Sequence, residues 1–231
     1  MSVGLAGKTA VITGTAHGIG AGIAEALQGD GVHVHGVDKD LADLSEPASV
    51  AAFFASIGPV DVLVNCAGGV AGQVGRPLEE VTDEDWRAVL DANLTTAFLC
   101  TRAVVAGMKE RGWGRIIMIA STAGLRVSKT GIQAHTSAKA AQIGFTRQMA
   151  HDLGPFGITV NCIAPGFIRS NPTTEEQWAS YGPDGQAALV EGISMRRLGE
   201  PADIANGVQF FASERSSWVT GQILAIDGGH D

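Results

Sequence analysis

The chain has 231 residues, 45% of them hydrophobic and 17% charged, and a formal net charge of -8. That length can bury a full core, and that composition excludes a disordered chain. The acidic balance excludes nucleic acid as a main partner, because phosphate binding needs a basic surface.

Cys66, Cys100 and Cys162 are odd in number and lie in apolar contexts. Buried reduced thiols are therefore expected, not a disulfide framework or metal site. Lys8 and several glycines interrupt the N-terminal region before any signal-like apolar core forms. No apolar run approaches the length of a membrane helix, so a cytoplasmic protein with no membrane partner is expected.

Lys8 to Thr13 reads as a short apolar strand, followed at once by a turn with glycines at 14, 18 and 20. A helix pattern then begins with Ile23, Ala24, Ala26 and Leu27 on one face. A strand, a glycine turn and a helix in that order bring backbone N–H groups to a pyrophosphate. Gly14, Ala16, His17, Gly18, Ile19 and Gly20 are the candidates for that cradle.

Val32 to Val37 reads as the second strand, ending at Asp38. A carboxylate about twenty residues after the glycine turn can bond both ribose hydroxyls and repel a 2′-phosphate. It predicts NAD over NADP, with neighbouring Lys39 arguing the other way. His33 and His35 share a strand face but lack a third ligand, which predicts strand residues and no metal site.

The stretch from Asp38 to Asp43-Leu44 is too short for an ordinary crossover. It predicts a missing helix and a stunted third strand, with Asp43 and Leu44 lining an adenine pocket. Ser45 is expected to cap the next helix, whose inner face is Val50, Phe53, Phe54 and Ile57. Val60 to Val64 reads as a doubly buried strand running into Asn65, Cys66, Ala67, Gly68 and Gly69, small enough to lie against a cofactor.

Thr82 to Trp86 opens a long helix carrying Leu90, Asn93, Phe98 and Val104. Arg115 to Ile119 is the next strand, a helix runs from His135 to about Leu153, and Gly157 opens a sixth strand. Residues 167 to 197 are polar and long enough for a mobile substrate lid with one or two short helices. Gln222 to Ile226 closes the series before Asp227-Gly228-Gly229. The alternation implies one α/β domain over 1–231, a Rossmann-type doubly wound parallel sheet with helices on both faces.

The ordered set resembles a classical short-chain dehydrogenase/reductase along nearly the whole chain. The matching pieces are the Thr13-Gly14 to Gly20 turn, Asn65-Cys66-Ala67-Gly68, Asn93, Ser121, Lys139, Pro165-Gly166 and Asp227-Gly228-Gly229. The resemblance implies a nicotinamide cofactor, alcohol–carbonyl hydride transfer on a small molecule, and a homotetramer or homodimer. It implies that Ser121 bonds the substrate oxygen, Lys139 binds the nicotinamide ribose and Asn93 holds a relay water. It adds Pro165, Gly166 and Ile168 to the cofactor contacts.

The family has a tyrosine one helical turn before that lysine, and this chain has His135. The only tyrosine is Tyr181, in the expected lid. Three readings follow. His135 replaces the tyrosine as acid/base, which favours alcohol oxidation because Lys139 and an oxidised nicotinamide both disfavour imidazolium. Alternatively the chain is an impaired or inactive cofactor-binding scaffold, or it runs isomerase- or lyase-type chemistry on the same fold. Tyr181 swinging in from the lid is a further idea. Trp178, Phe167 and Leu198 suggest apolar substrate walls, and Arg126, Arg169 and Arg196 suggest anion contacts.

Overall fold

A computed structural model describes residues 4–230. Six parallel strands form one sheet: β1 (Thr9–Thr13), β2 (His33–Val37), β3 (Val62–Asn65), β4 (Gly114–Ile119), β5 (Ile158–Pro165) and β6 (Ile223–Ile226). Their order is β2-β1-β3-β4-β5-β6, so the winding reverses between β1 and β3. Ligands of such sheets bind at that reversal, beyond the carboxyl ends of the strands.

Side chains alternate faces along each strand, and the core divides accordingly. Val11, Leu63, Ile116 and Val160 point to one face, against α2 (Pro47–Ile57), α4 (Thr96–Arg111) and α5 (Gln133–Leu153). Ala10, Ile12, Val64, Ile117 and Ile163 point to the other, against α1 (Gly18–Gly29) and α8 (Pro201–Ala212). Each fully buried aliphatic side chain contributes about 1.5–3 kcal/mol, so both layers are needed to hold the sheet.

The expected fold class stands, with three local corrections. Among the described residues no strand lies between β2 and α2, so the stunted third strand is absent, β2 is a sheet edge and Ile158–Pro165 is the fifth strand and not the sixth. Leu44 instead tucks into the core cluster beside α2. Glu46, not Ser45, is the N-cap of α2, because the Ser45 amide and hydroxyl both donate to Asp43 Oδ1. The third correction concerns α3 (Asp83–Leu90), a π-turn over Asp91–Thr95 and α4, which run on as one helix, 83–111. By length and composition that helix qualifies as a membrane span. Its Val89, Ala97, Leu99, Cys100, Val104 and Met108 are buried in the protein core.

Two short helices, α6 (Pro172–Ser180) and α7 (Gly182–Gly192), fill the expected lid segment. Asn171 and Thr174 form a reciprocal capping box with Pro172 at the first helical position, which fixes where α6 starts.

Candidate active site

The cleft begins at the winding reversal. Thr13 Oγ1 accepts from the amides of Cys66 and Ala67 at 3.0 and 2.8 Å, tying the carboxyl end of β1 to that of β3. Gly14 sits at φ +77, and a Cβ there would lie 2.9 Å from Ala67 Cα. A Cβ on Gly20 would collide with the Gly14 carbonyl oxygen, so helix and turn pack at a distance only glycine permits.

Helix α1 has His17 at its N-cap and no side-chain cap hydrogen bond. Its first amides are therefore left for an anion, with the positive end of the helix dipole behind them. Ala16, Gly18 and Ile19 complete that turn. A Cβ on Gly18, at φ +63, would come within 2.5 Å of the Ser170 carbonyl, so the lid leaves the sheet directly over the glycine turn.

Asp38 stands beside the same turn, at the end of β2. Its Oδ2 accepts from Ala16 N at 3.0 Å and its Oδ1 from Lys39 N at 2.9 Å. The carboxylate is thereby fixed beside the glycine turn, with lone pairs left on both oxygens. The residues thus fit a dinucleotide: three glycine positions that a Cβ would spoil, an uncapped helix end and a fixed carboxylate.

Two buried carboxamides shape the far wall. Asn93 lies in the π-turn, fully buried, and its side chain brackets Gly69, accepting from Gly69 N at 3.1 Å and donating to Gly69 O at 2.8 Å. A π-turn inside a helix is what aims this side chain at the loop. The Asn93 backbone carbonyl accepts from Gln142 Nε2 at 2.9 Å, which ties this turn to α5. Asn65 donates to Thr101 Oγ1 from within the sheet end, at 3.2 Å.

The chemical centre is built on β4 and α5. Ser121 follows β4 with an extended backbone, and its Oγ accepts from Ala123 N at 3.1 Å. Its O–H remains able to donate to a substrate oxygen. Gly124 in the same turn packs so closely on α5 that a Cβ would lie 2.7 Å from the Lys139 carbonyl carbon.

Lys139 is buried and donates to Ile119 O at 2.9 Å; burial pulls its pKa down to about 8. His135 is in the first turn of α5, one turn before Lys139 on the same face. Burial first, and the Lys139 charge second, push its pKa down to about 3. Its Nδ1 is buried with no hydrogen-bond partner, so the ring is neutral across the physiological range. Cys66, desolvated near Lys139, is pushed up to about 12 and stays a thiol.

Pro165 ends β5, and Gly166 N donates to Ile226 O at 3.0 Å. Ile168 is buried and bridges Gly199. A cavity of about 170 Å³ opens here, lined by Gly166, Phe167, Ile168, Arg197, Gly199 and Asp227 among others. In the lid, Phe167 stacks on Trp178 at 6.2 Å and meets Tyr181 at 6.0 Å. The Tyr181 hydroxyl accepts from Gln177 at 2.6 Å, so the lid uses this phenol internally.

Two of the candidate anion contacts already have carboxylate partners. Arg126 pairs with Asp227 at 2.9 Å and also donates to His230 O, and Arg169 pairs with Glu175 at 2.6 Å. Arg196 is exposed, with a left-handed backbone at φ +54. Asp43 and Leu44 lie between β2 and α2, the first held by Ser45 and the second buried in the core cluster. No group of three potential metal ligands occurs among the described residues.

Residues 40–231 match the family described as enoyl-(acyl carrier protein) reductase. The chain belongs to the short-chain dehydrogenase/reductase family. The 3-oxoacyl-[acyl-carrier-protein] reductase FabG of Vibrio cholerae is 34% identical over 97% of this chain and 98% of its own. A candidate NAD(P)-dependent gluconate 5-dehydrogenase from Beutenbergia cavernae, with NADP bound at low occupancy, superposes with a TM-score of 0.89. It is 33% identical over 99% of this chain and 98% of its own. A candidate gluconate dehydrogenase from Agrobacterium tumefaciens gives 0.90 at 27% identity, over 100% of this chain and 98% of its own. Membership makes the chain an oxidoreductase of CH–OH groups that uses a nicotinamide cofactor.

Sequence reasoning did not reach two buried side chains of this site, Gln142 and Gln73. Neither carries a local signal: one reads as an ordinary helix residue, the other as a polar residue in a glycine-rich loop.

Proposed function

We propose that the protein oxidises a secondary alcohol to a ketone with NAD, using His135 where the family has tyrosine. The observation that carries this is the neutral, desolvated imidazole of His135, one helical turn before a buried Lys139 whose backbone packs against the turn that follows Ser121. When bound, the nicotinamide supplies the hydride acceptor. Ser121 donates to the alcohol oxygen and orients it. His135 accepts the hydroxyl proton, a step open only to the unprotonated ring. Lys139, held by Ile119 O, lies where it can bond the ribose and keep positive charge near the developing ketone oxygen. Asn93, through Gly69, holds the wall against which the nicotinamide half rests.

Asp38 supports NAD: a fixed carboxylate accepts from ribose hydroxyls and repels a 2′-phosphate. The Beutenbergia neighbour binds NADP, so the choice is made on Asp38 alone. The segment 167–197 serves as the lid of a single 1–231 domain, with Phe167 and Trp178 as its apolar wall. Subunits pair as a homodimer or homotetramer through α4 and α5, where Phe98 is 42% exposed and contacts Phe145 at 6.4 Å.

One observation favours a second reading, a cofactor-binding scaffold of low activity. An imidazole held at about 3 is a weak base, and Brønsted behaviour makes a weak base slow. A panel of secondary alcohols, followed as NADH formation, decides between them. The first reading expects turnover that His135→Ala removes. NAD binding without turnover on any alcohol or ketone, together with a large gain in His135→Tyr, establishes the scaffold.

A further inference from the structure

Helix α5 carries both His135 and Lys139, yet it starts badly. Its N-cap is Ile132, which has no side chain able to accept, and no capping bond is made from that position. Ala134, in the first turn, is fully buried, so water cannot satisfy its amide. The partner comes from elsewhere: Gln73 Oε1 accepts from Ala134 N at 3.3 Å, across 61 residues of sequence.

Gln73 is itself fully buried and its carboxamide is used at both ends. Nε2 donates to Gly131 O at 2.9 Å and to Gln133 Oε1 at 2.7 Å. Gln133 Nε2 returns to Arg76 O at 2.9 Å, and Gly75 N reaches Thr130 O at 3.0 Å. Gly131, at φ +60, approaches so near that a Cβ would lie 3.0 Å from Gly75 Cα.

The loop that bears Gln73 follows β3 and begins at the cofactor wall, Cys66 to Gly69. Asn93 fastens its near end at Gly69, and Gln73 fastens its far end to the start of α5. Between the two pins, Ala71 takes a left-handed backbone at φ +44 that a non-glycine residue holds only under constraint.

We infer that Gln73 is a positioning residue, a helix cap supplied in trans by the β3 loop that sets His135 relative to the cofactor wall. It touches neither reacting atom. It acts through the first turn of α5, which carries His135 immediately after the capped Ala134. The inference rests on the reading of His135 as acid/base only for its kinetic consequence.

The test uses two variants of nearly conserved volume. Gln73→Met removes the acceptor for Ala134 N, whereas Gln133→Met removes loop bonds but leaves that acceptor in place. Gln73→Met is expected to lower kcat about tenfold with the KM for NAD unchanged, on the scale of a lost cap. Its His135 ring ¹H–¹³C resonances should split or broaden as the first turn frays. Gln133→Met should keep kcat within about twofold and the His135 resonances single. Equal effects in the two variants, or no change in either readout for Gln73→Met, overturn the inference. Amide hydrogen exchange in the unmodified protein decides it even if Gln73→Met does not fold: Ala134 must be protected, and an unprotected Ala134 overturns it. Should His135→Ala leave turnover intact, the acid/base reading fails while the exchange and ring signals still judge the cap.

Discussion

Removing the imidazole of His135 should change how the protein responds to acid. In the folded chain His135 titrates at about 3, against 6.5 for an ordinary histidine. Its folded pKa is lowered, so between these values the unfolded chain binds a proton that the native chain refuses. Stability then rises with pH through that window and is lost as pH falls. Integrating a shift from 6.5 to 3 gives a loss of about 2.5 kcal/mol between pH 7 and pH 4.5. Lys139, titrating at about 8, is charged in both states throughout that range and adds no slope. The assay is urea unfolding of the wild-type chain and His135→Phe at half-unit pH steps, with the difference plotted. Carboxylates titrate alike in both proteins and cancel, and any fixed cost of placing a phenyl ring shifts the curve without tilting it. The variant should gain on the wild type by roughly 1.4 kcal/mol per pH unit below pH 6. Parallel curves would mean that His135 is solvated and freely protonated, and the case for a neutral catalytic base would go with it.

Three further outcomes follow from the same geometry. With His135 neutral and Lys139 at about 8, kcat/KM should be level from about pH 5 to 8 and fall above it as the Lys139 cation is lost; a rising limb through pH 8 would contradict both assignments. Gly20→Ala would drive a Cβ into the Gly14 carbonyl, costing about 1–3 kcal/mol in thermal unfolding and weakening NAD binding in fluorescence titration. Asp38→Ser should shift the NADP to NAD affinity ratio toward NADP by about tenfold or more, read from dissociation constants at fixed ionic strength.

The sequence made the strands legible because β3, β4 and β5 are buried on both faces and therefore read as mostly apolar runs, interrupted only by Arg115, Thr159 and Asn161 and by the final Asn65 of β3. It made the glycine turn legible because the turn's demands are local. Capping at Ser45 failed for an equally local reason that propensity does not carry: Asp43, two residues earlier, captures both the Ser45 amide and hydroxyl. Asn93 was recognisable only through resemblance, since a π-turn leaves no distinct period in one short segment. Gln73 and Gln142 were illegible because their partners lie 61 and 49 residues away. A carboxamide in a glycine-rich loop looks solvated until the tertiary fold removes the water.

In the proposed reading, the absence of a strand between β2 and α2 leaves nucleotide selection to Asp38. Without a strand beyond β2, little secondary structure walls the adenosine half, and His33, His35 and Gly36 stand exposed at the sheet edge. A strand of five residues is short enough not to invite pairing by another chain. What replaces the wall is a turn: the amides of Leu41 and Ala42 both bond the Asp38 carbonyl at 3.0 Å. Ala16 N and Lys39 N hold its carboxylate. Leu44 then anchors the chain in the core before α2 begins. Asp38 is thus fixed through both its backbone and its side chain, at the edge where a ribose would arrive. A carboxylate so held cannot rotate away from a 2′-phosphate, which is why a substitution at this one position should move cofactor preference.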